Sequence, residues 1–210
     1  MIYKEVLIPS LSYSAPNIAA SHEIWEGFSV LPQQTRFGIY SYWESEEIIK
    51  DVDLLFMLKK SYLSIEYHLK RTDTQTVGER LRTLGYYIYI TPLYFFHNLV
   101  FKCQTYENLI SLIIPNLTSI SKIAVDCGMY CIVEAFSSQS NVLEVDGISF
   151  TQKYTNTLEF LSAFVKKFVE EVDISFLMKY VNYQIQNNKN DIVVLISKLI
   201  FKLTNVFFYF

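Results

Sequence analysis

The chain has 210 residues, 51% of them hydrophobic, with 16 Phe, 16 Tyr and only 6 Gly. A chain of this length buries roughly 70% of its unfolded surface, so length and composition predict a folded core and exclude intrinsic disorder. The net charge is −3 and the 18 Lys and Arg residues are scattered. Because tight phosphate binding needs a concentrated positive surface, the chain alone is not expected to bind nucleic acid tightly.

The first half of the chain shows the spacing of amphipathic helices. Asn17 is placed to cap one helix and Pro32 to end it. The stretch from Thr76 to Glu79 is a predicted capping box, and Pro92 is well placed as a first helical residue. The predicted helices cover residues 2–8, 17–31, 33–48, 47–71, 77–90 and 92–104. Within 47–71, the expected buried line runs through Ile48, Val52, Leu55, Tyr62 and Leu69.

Arg36, Tyr40 and Trp43 share one face of the predicted 33–48 helix, at i, i+4 and i+7. These residue types are enriched at binding hot spots, so the face could be a docking surface. Alternatively, Arg36 stacks on its aromatic neighbours and braces a pair of helices. The sequence leaves both interpretations open.

The apolar stretch 108–136 is the part around which the rest of the chain is expected to pack. It predicts two helical segments, with Pro115 kinking or ending the first. In the second segment, Lys122 and Asp126 are expected to pair at i,i+4 away from the buried face. That buried face is predicted to hold Ile123, Ala124, Cys127, Tyr130 and Cys131.

Residues 137–156 are polar and lack a helical stripe, which predicts a long surface loop. The loop divides the chain into a helical-repeat segment, 1–136, and C-terminal helices in 157–210 that continue the stack. The first of these helices, 158–172, is expected to carry surface ion pairs from Lys166 to Glu170 and from Lys167 to Glu171. Asp173 is expected to cap the next helix.

The last stretch, residues 192–210, is apolar enough to imitate a membrane tail anchor. Lys198 and Lys202 lie near its middle, and each costs about 2.5–3.5 kcal/mol in a bilayer. With Asn205 they form the narrow polar stripe that is typical of a largely buried helix. We therefore predict a packed helix and no membrane association.

About ten antiparallel helices with short turns predict an all-α fold of stacked helix pairs, an α-solenoid of the HEAT or MIF4G kind. The chain has no fixed repeat period, which leaves a globular helix bundle as the alternative. Motifs for phosphate binding, metalloproteases and serine hydrolases are absent from the sequence, so no catalytic residue or cofactor is predicted. The cysteines have no ligand spacing with the histidines, so we predict buried small hydrophobic residues and no metal site at Cys103, Cys127 and Cys131.

Two stretches resemble a known family. The run from Tyr106 through Asp126 to Phe136 carries YENLI and YCIVEAF, which resemble the pattern YDNLI…D…YCIIEAL of the THO subunit 2 family. Upstream, Glu23-Ile-Trp25 and the residues that follow it are similar to a second pattern of that family. These following residues are Leu31, Pro32, Arg36, Ile39, Tyr40 and Trp43.

The resemblance implies a middle segment of the large, non-enzymatic scaffold of the THO/TREX assembly. Such a scaffold acts in mRNP assembly, transcription-coupled mRNA processing and mRNA export in the nucleus. The implied partners are other THO subunits and the DEAD-box RNA helicase of TREX, with RNA reached only through the assembly. The hypothetical partner-binding residues are Arg36, Tyr40, Trp43, Lys70, Arg71 and Arg82. The alternatives are a generic HEAT/MIF4G adaptor in translation or nuclear transport and a tail-anchored membrane protein.

Overall fold

Helices make up nearly all the regular structure of the computed structural model, which describes residues 2–13, 15–44, 52–118, 120–139, 142–145, 149–187 and 192–204. A π-helical turn, Tyr3–Leu7, precedes α1, and a 3-10 turn, Ile114–Asn116, follows α7. Over these ranges the prediction of an all-α, solenoid-like fold is confirmed, with eleven α-helices against about ten expected. They are α1 (Ile8–Tyr13), α2 (Ile18–Phe28), α3 (Gln33–Trp43), α4 (Val52–Lys70), α5 (Val77–Ile90), α6 (Pro92–Thr105), α7 (Asn108–Ile113), α8 (Lys122–Ser137), α9 (Gln152–Lys167), α10 (Ser175–Gln186) and α11 (Val193–Thr204).

Two helices, α6 and α8, form the centre of the stack. Helix α6 packs against α4, α5, α7, α8 and α9, and α8 packs against α2, α3, α6 and α9. The buried face predicted for α8 is confirmed except at Tyr130, which is half-buried, and the burial extends to most other sides of that helix. One hydrophobic cluster joins residues from Ile8 to Leu199, so both sides of the 137–156 segment share a core.

A glycine allows the central helices to approach closely. A Cβ atom on Gly128 of α8 would lie 2.6 Å from Cζ of Phe164 on α9 and 3.2 Å from Cε1 of Phe96 on α6. Both phenylalanines are fully buried. The missing side chain therefore sets the spacing of α6, α8 and α9.

Several predicted helix ends are confirmed. The Asn17 side chain accepts a hydrogen bond from the N–H of Ala20 at 3.1 Å, and α3 begins directly after Pro32. Pro92 is the first residue of α6, and Pro115 lies in the 3-10 turn that ends α7. The predicted joint between helices near Ile48 lies in residues 45–51, outside the described residues.

The capping box predicted at the start of α5 is wrong. The backbone of Thr76 is already near-helical, and its side chain caps no N–H of the helix. Instead, Asp73 Oδ1 accepts hydrogen bonds from the N–H groups of Gln75 and Thr76 at 2.9 and 2.8 Å. Asp73 thus organises the turn, because a short carboxylate side chain bonds well to the backbone two or three residues later.

The buried line predicted for α4 is also wrong, apart from Leu69. Val52 and Tyr62 are exposed and Leu55 is half-buried, whereas Ile48 lies outside the described residues. Apolar residues occur almost all round α4, so periodicity could not fix which side faces the core. The apolar side chains that face the core are Leu54, Leu58, Ile65 and Leu69.

The segment between α8 and α9 is shorter than the predicted loop. Residues 152–156 belong to α9, whose first turn is capped by the Thr151 hydroxyl. An isolated antiparallel bridge joins Leu143 to Phe150 in the described part of this segment.

The predicted ion pairs Lys166–Glu170 and Lys167–Glu171 need one continuous helix, but α9 ends at Lys167. The ammonium group of Lys167 donates instead to the carbonyl oxygen of Pro115 at 3.0 Å. The predicted capping role of Asp173 is confirmed in part. Its Oδ1 accepts from the N–H of Ser175 at 2.9 Å, although the cap position itself is Ile174.

Helix α11 packs against α9 through a polar stripe as well as apolar contacts. Lys198 and Lys202 form ion pairs with Glu159 at 2.7 and 3.2 Å. Asn205, the third predicted member of the stripe, lies outside the described residues. Across the ranges given above, the helices are all too short or too polar to cross a bilayer.

Candidate partner-binding surface

The six residues predicted to bind partners fall into two groups in the structure. Arg36, Tyr40 and Trp43 are buried, with 4%, 0% and 3% of their surface exposed. Lys70, Arg71 and Arg82 are exposed.

Arg36 is the centre of a buried polar network. Its Nε and Nη2 atoms donate to the two carboxylate oxygens of Asp126 on α8, at 2.7 and 2.9 Å. Its Nη1 donates to the carbonyl oxygen of Leu31 at 2.8 Å, and Nη2 also lies 3.3 Å from Oδ2 of Asp173. The Tyr40 hydroxyl donates to Asp126 at 2.9 Å. Burial is the main cause that raises the pKa of Tyr40, so its hydroxyl stays protonated and acts as the donor.

The same network ties α3 to the start of α10. The Gln33 side chain donates to the carbonyl oxygen of Asp173 and accepts from the N–H of Phe176, both at 2.6 Å. Gln33 therefore caps the N–H of Phe176 in the first turn of α10, beside the local bond from Ser175 to Asp173. The Arg36 guanidinium carbon also lies 5.3 Å from the centre of the Trp25 ring.

These contacts decide between the two interpretations of the α3 face. Arg36 stacks on an aromatic ring and braces α3 against α8 and α10, which confirms the structural alternative. The predicted pair of Lys122 with Asp126 is wrong, because Asp126 turns inward to Arg36 and Tyr40 while Lys122 is exposed. In this structure Arg36, Tyr40 and Trp43 are not available for direct contact with another protein.

Two of the exposed residues, Lys70 and Arg71, lie at the C-terminal end of α4. Lys70 forms an ion pair with Glu66 at 2.6 Å, and the Arg71 guanidinium carbon lies 3.9 Å from the centre of the Tyr67 ring. Both basic residues are favourable at a helix C-terminus because they lie near the negative end of the helix dipole. They also remain open to solvent, so they can contact another surface.

An apolar stripe runs along α4 towards this basic end. Val52, Phe56, Leu63 and Tyr67 are 77%, 67%, 64% and 49% exposed. Their spacing of i, i+4, i+11 and i+15 puts them on one helix face. We call the set Val52, Phe56, Leu63, Tyr67, Lys70 and Arg71 the α4 stripe. The apolar part of the stripe differs from the prediction, which places Val52 in the core.

Arg82 belongs to a different part of the surface. It lines a cavity of about 450 Å³ between α5 and the segment after the 3-10 turn, together with Leu117 and Ile120. Lys70 and Arg71 make their contacts with Glu66 and Tyr67. The cavity that Arg82 lines therefore includes none of the residues of the α4 stripe.

A third cluster joins residues that are far apart in the sequence. His97 Nε2 on α6 lies 2.5 Å from Oε1 of Glu44, at the end of α3, and 3.3 Å from Oε2 of Glu134 on α8. One ligand atom from each of the three side chains lies within 4.8 Å of the others. The sequence alone does not reveal this group, because its members come from α6, α8 and the residue after α3, and no local spacing links them.

Comparison with known proteins shows similarity along nearly the whole chain. Residues 84–160 match the Thoc2 family, described as a transcription- and export-related complex subunit. THO complex subunit 2 of Homo sapiens is 24% identical over 206 residues, which cover 98% of this chain. The Arabidopsis thaliana protein of the same name is 24% identical over 201 residues, which cover 95% of this chain. The chain is therefore similar to THO complex subunit 2 along nearly its whole length.

The similarity to THO complex subunit 2 covers a small part of those relatives. The matched region is 13% of the human protein and 11% of the Arabidopsis thaliana protein. The part that matches the Thoc2 family includes α6, α7 and α8. It contains Asp126 of the buried network, whereas the α4 stripe lies before it.

Proposed function

We propose that this chain is a non-enzymatic scaffold segment of a THO complex. The observation that carries the proposal is the similarity of 98% of the chain to human THO complex subunit 2. In this proposal the segment acts within TREX in the nucleus, in mRNP assembly, transcription-coupled mRNA processing and mRNA export. RNA is reached only through the rest of the assembly.

The packing of the described helices supports a scaffold role. A continuous hydrophobic cluster runs through the stack, and the Arg36 network fixes α3 against α8 and α10. Buried polar networks of this kind hold helices in one arrangement when every member is hydrogen-bonded. A stiff stack keeps its exposed faces at fixed distances, which is what a platform for other proteins requires.

The α4 stripe is the surface we propose for partner contact. It combines exposed aromatic and aliphatic side chains with Lys70 and Arg71 at one end. A matching partner surface has an apolar centre and acidic groups at its edge. In the proposed assembly this partner is another THO subunit or the DEAD-box RNA helicase of TREX. Arg82 provides a second, separate contact.

Affinity purification of the tagged chain from its own cells, followed by mass spectrometry, tests both parts of the proposal. We expect recovery of THO subunits and a DEAD-box helicase. The double variant K70E/R71E should reduce that recovery at least tenfold, because it reverses the charge at the end of the stripe. The control K166E/K179E makes the same charge change at exposed lysines on other helices and should leave recovery unchanged.

Two outcomes would contradict the proposal in different ways. Recovery of translation or nuclear-transport proteins without THO subunits would indicate a generic helical adaptor. Equal loss in K70E/R71E and K166E/K179E would show that net charge, rather than the α4 stripe, governs binding. A separate R82E variant tests the second contact. Reversing Arg36 would test folding instead, because that side chain is buried.

A further inference from the structure

We propose that Glu44, His97 and Glu134 form a Zn²⁺ site that links the end of α3 to α6 and α8. The site is independent of the proposed scaffold function, because it depends only on these three side chains. An imidazole nitrogen and two carboxylate oxygens are a ligand set that Zn²⁺ accepts, with water in the fourth position. Mg²⁺ and Ca²⁺ prefer sites built from oxygen atoms alone, so the histidine favours Zn²⁺.

The distances are close to those around a bound ion. In a tetrahedral site with bonds of about 2.0–2.2 Å, neighbouring ligand atoms lie roughly 3.3–3.5 Å apart. His97 Nε2 and Glu134 Oε2 are already 3.3 Å apart. Glu44 Oε1 lies 2.5 Å from His97 Nε2, as in a hydrogen bond to a protonated ring. The carboxylate must therefore withdraw by roughly 1 Å when a metal replaces that proton.

Charge and surroundings both suit a divalent cation. Two carboxylates and a neutral imidazole carry two negative charges, which one Zn²⁺ ion balances. The Tyr130 hydroxyl lies 3.4 Å from the second carboxylate oxygen of Glu44 and donates to it. Hydrogen bonds of this kind orient metal-binding carboxylates.

An ion can reach these side chains from solvent. His97 and Glu134 line an open cavity of about 350 Å³, which Gln104 and Ser138 also line. The side chains of Glu44, His97 and Glu134 are 22%, 35% and 45% exposed. The cavity leaves room for a water molecule as the fourth ligand. Lys153 lines the same cavity.

Isothermal titration of the full chain with ZnCl₂, after removal of metals with a chelator, tests the site. We expect one ion per chain and release of a proton on binding, since the metal displaces the proton on His97. H97Q should weaken binding at least tenfold. The matched control is H22Q, because His22 and Glu26 form an exposed pair at 3.6 Å that could bind Zn²⁺ weakly.

Further variants keep the test decisive. If H97Q does not fold, E134Q replaces a more exposed ligand and should still weaken binding at least tenfold. The absorption spectrum of Co²⁺ at the same site should lack a thiolate charge-transfer band, which excludes binding by Cys103, Cys127 or Cys131. The proposal is overturned if H97Q or a folded E134Q binds like the unmodified chain. Loss of binding in H22Q, or displacement of Zn²⁺ by an equal concentration of Ca²⁺, would overturn it as well.

Discussion

Arg36 and Arg71 have the same local chemistry and opposite surroundings. Each guanidinium lies against an aromatic ring, at 5.3 Å from Trp25 and 3.9 Å from Tyr67. Arg36 is buried and held by both oxygens of Asp126, which is 90 residues away in the sequence. Arg71 directly follows the last residue of α4 and is exposed to solvent. The difference shows that an arginine beside aromatics becomes structural when a distant carboxylate reaches it.

The largest effect is expected from breaking the buried pair. In D126A the Arg36 charge loses its main partner while it stays inside the protein, since Asp173 offers only a bond of 3.3 Å. Removing one partner of a buried ion pair costs about 3–5 kcal/mol of the free energy of unfolding. Urea denaturation measures this loss.

Lys122, one turn before Asp126 on α8, gives the matched control for D126A. It lies on the same helix as Asp126 but is exposed, so K122A should change the free energy of unfolding by less than about 0.5 kcal/mol. If D126A changed stability as little as K122A, the Arg36 network would contribute nothing to the stack. The proposed stiffness of the platform would then lose its support.

The sequence predicts helices well wherever the signal is local. Asn17, Pro32 and Pro92 mark helix starts or ends because a cap or a missing N–H acts within one turn. The pairing of Asp126 could not be predicted in this way, because Lys122 is its nearest opposite charge along the helix while Arg36 comes from another helix. The buried face of α4 could not be predicted for a related reason. Apolar residues occur on nearly all sides of this helix, so only the neighbouring helices decide which side is covered.

The candidate partner-binding surface also has a part that local sequence signals predict and a part that they do not. Lys70 and Arg71 could be predicted as exposed, because basic residues at a helix C-terminus favour solvent and the helix dipole. The exposed apolar part of the α4 stripe depends on the side that α5 and α6 leave uncovered. The cluster of Glu44, His97 and Glu134 depends on three helices meeting, which no single stretch of sequence records.

A glycine in close contact with buried rings and a glycine beside open space should respond to alanine with opposite sign. G128A places a methyl group against the buried rings of Phe164 and Phe96, and such overpacking costs about 1–3 kcal/mol. Gly85 in α5 has open space at its Cβ position. G85A should therefore stabilise the protein by about 0.5–1 kcal/mol, because alanine favours a helix interior. Thermal melting of both variants measures the contrast, and a stabilising G128A would contradict the close approach of α8 to α9.

Glu159 is intermediate in exposure between Arg36 and Arg71, because its side chain is 25% exposed. Burial alone would raise its pKa, but the hydrogen bonds and charges of Lys198 and Lys202 outweigh it and lower the pKa. The carboxylate therefore stabilises the fold above its unfolded pKa of about 4.3 and loses this effect as pH falls through the lowered folded value. E159Q should lose about 1 kcal/mol at neutral pH, as expected of a partly exposed ion pair.

The pH dependence separates this loss from a packing defect. The difference in the free energy of unfolding between the unmodified chain and E159Q should shrink as the pH falls below about 4. Gln has nearly the same shape as Glu, so packing against α11 is kept. A difference that stayed constant with pH would show that the charges of Lys198 and Lys202 do not hold α11 on α9.

The smallest effect on stability is expected at Arg71. Its contact with Tyr67 is exposed, and a cation–π pair in water contributes about 0.5–1 kcal/mol at most. R71A should therefore change the free energy of unfolding by no more than that amount, as measured by urea denaturation beside D126A. A loss of several kcal/mol would mean that Arg71 holds the end of α4 in place, as Arg36 holds α3. The weakened binding expected of K70E/R71E would then report local unfolding, and the α4 stripe would no longer be separable from the fold that presents it.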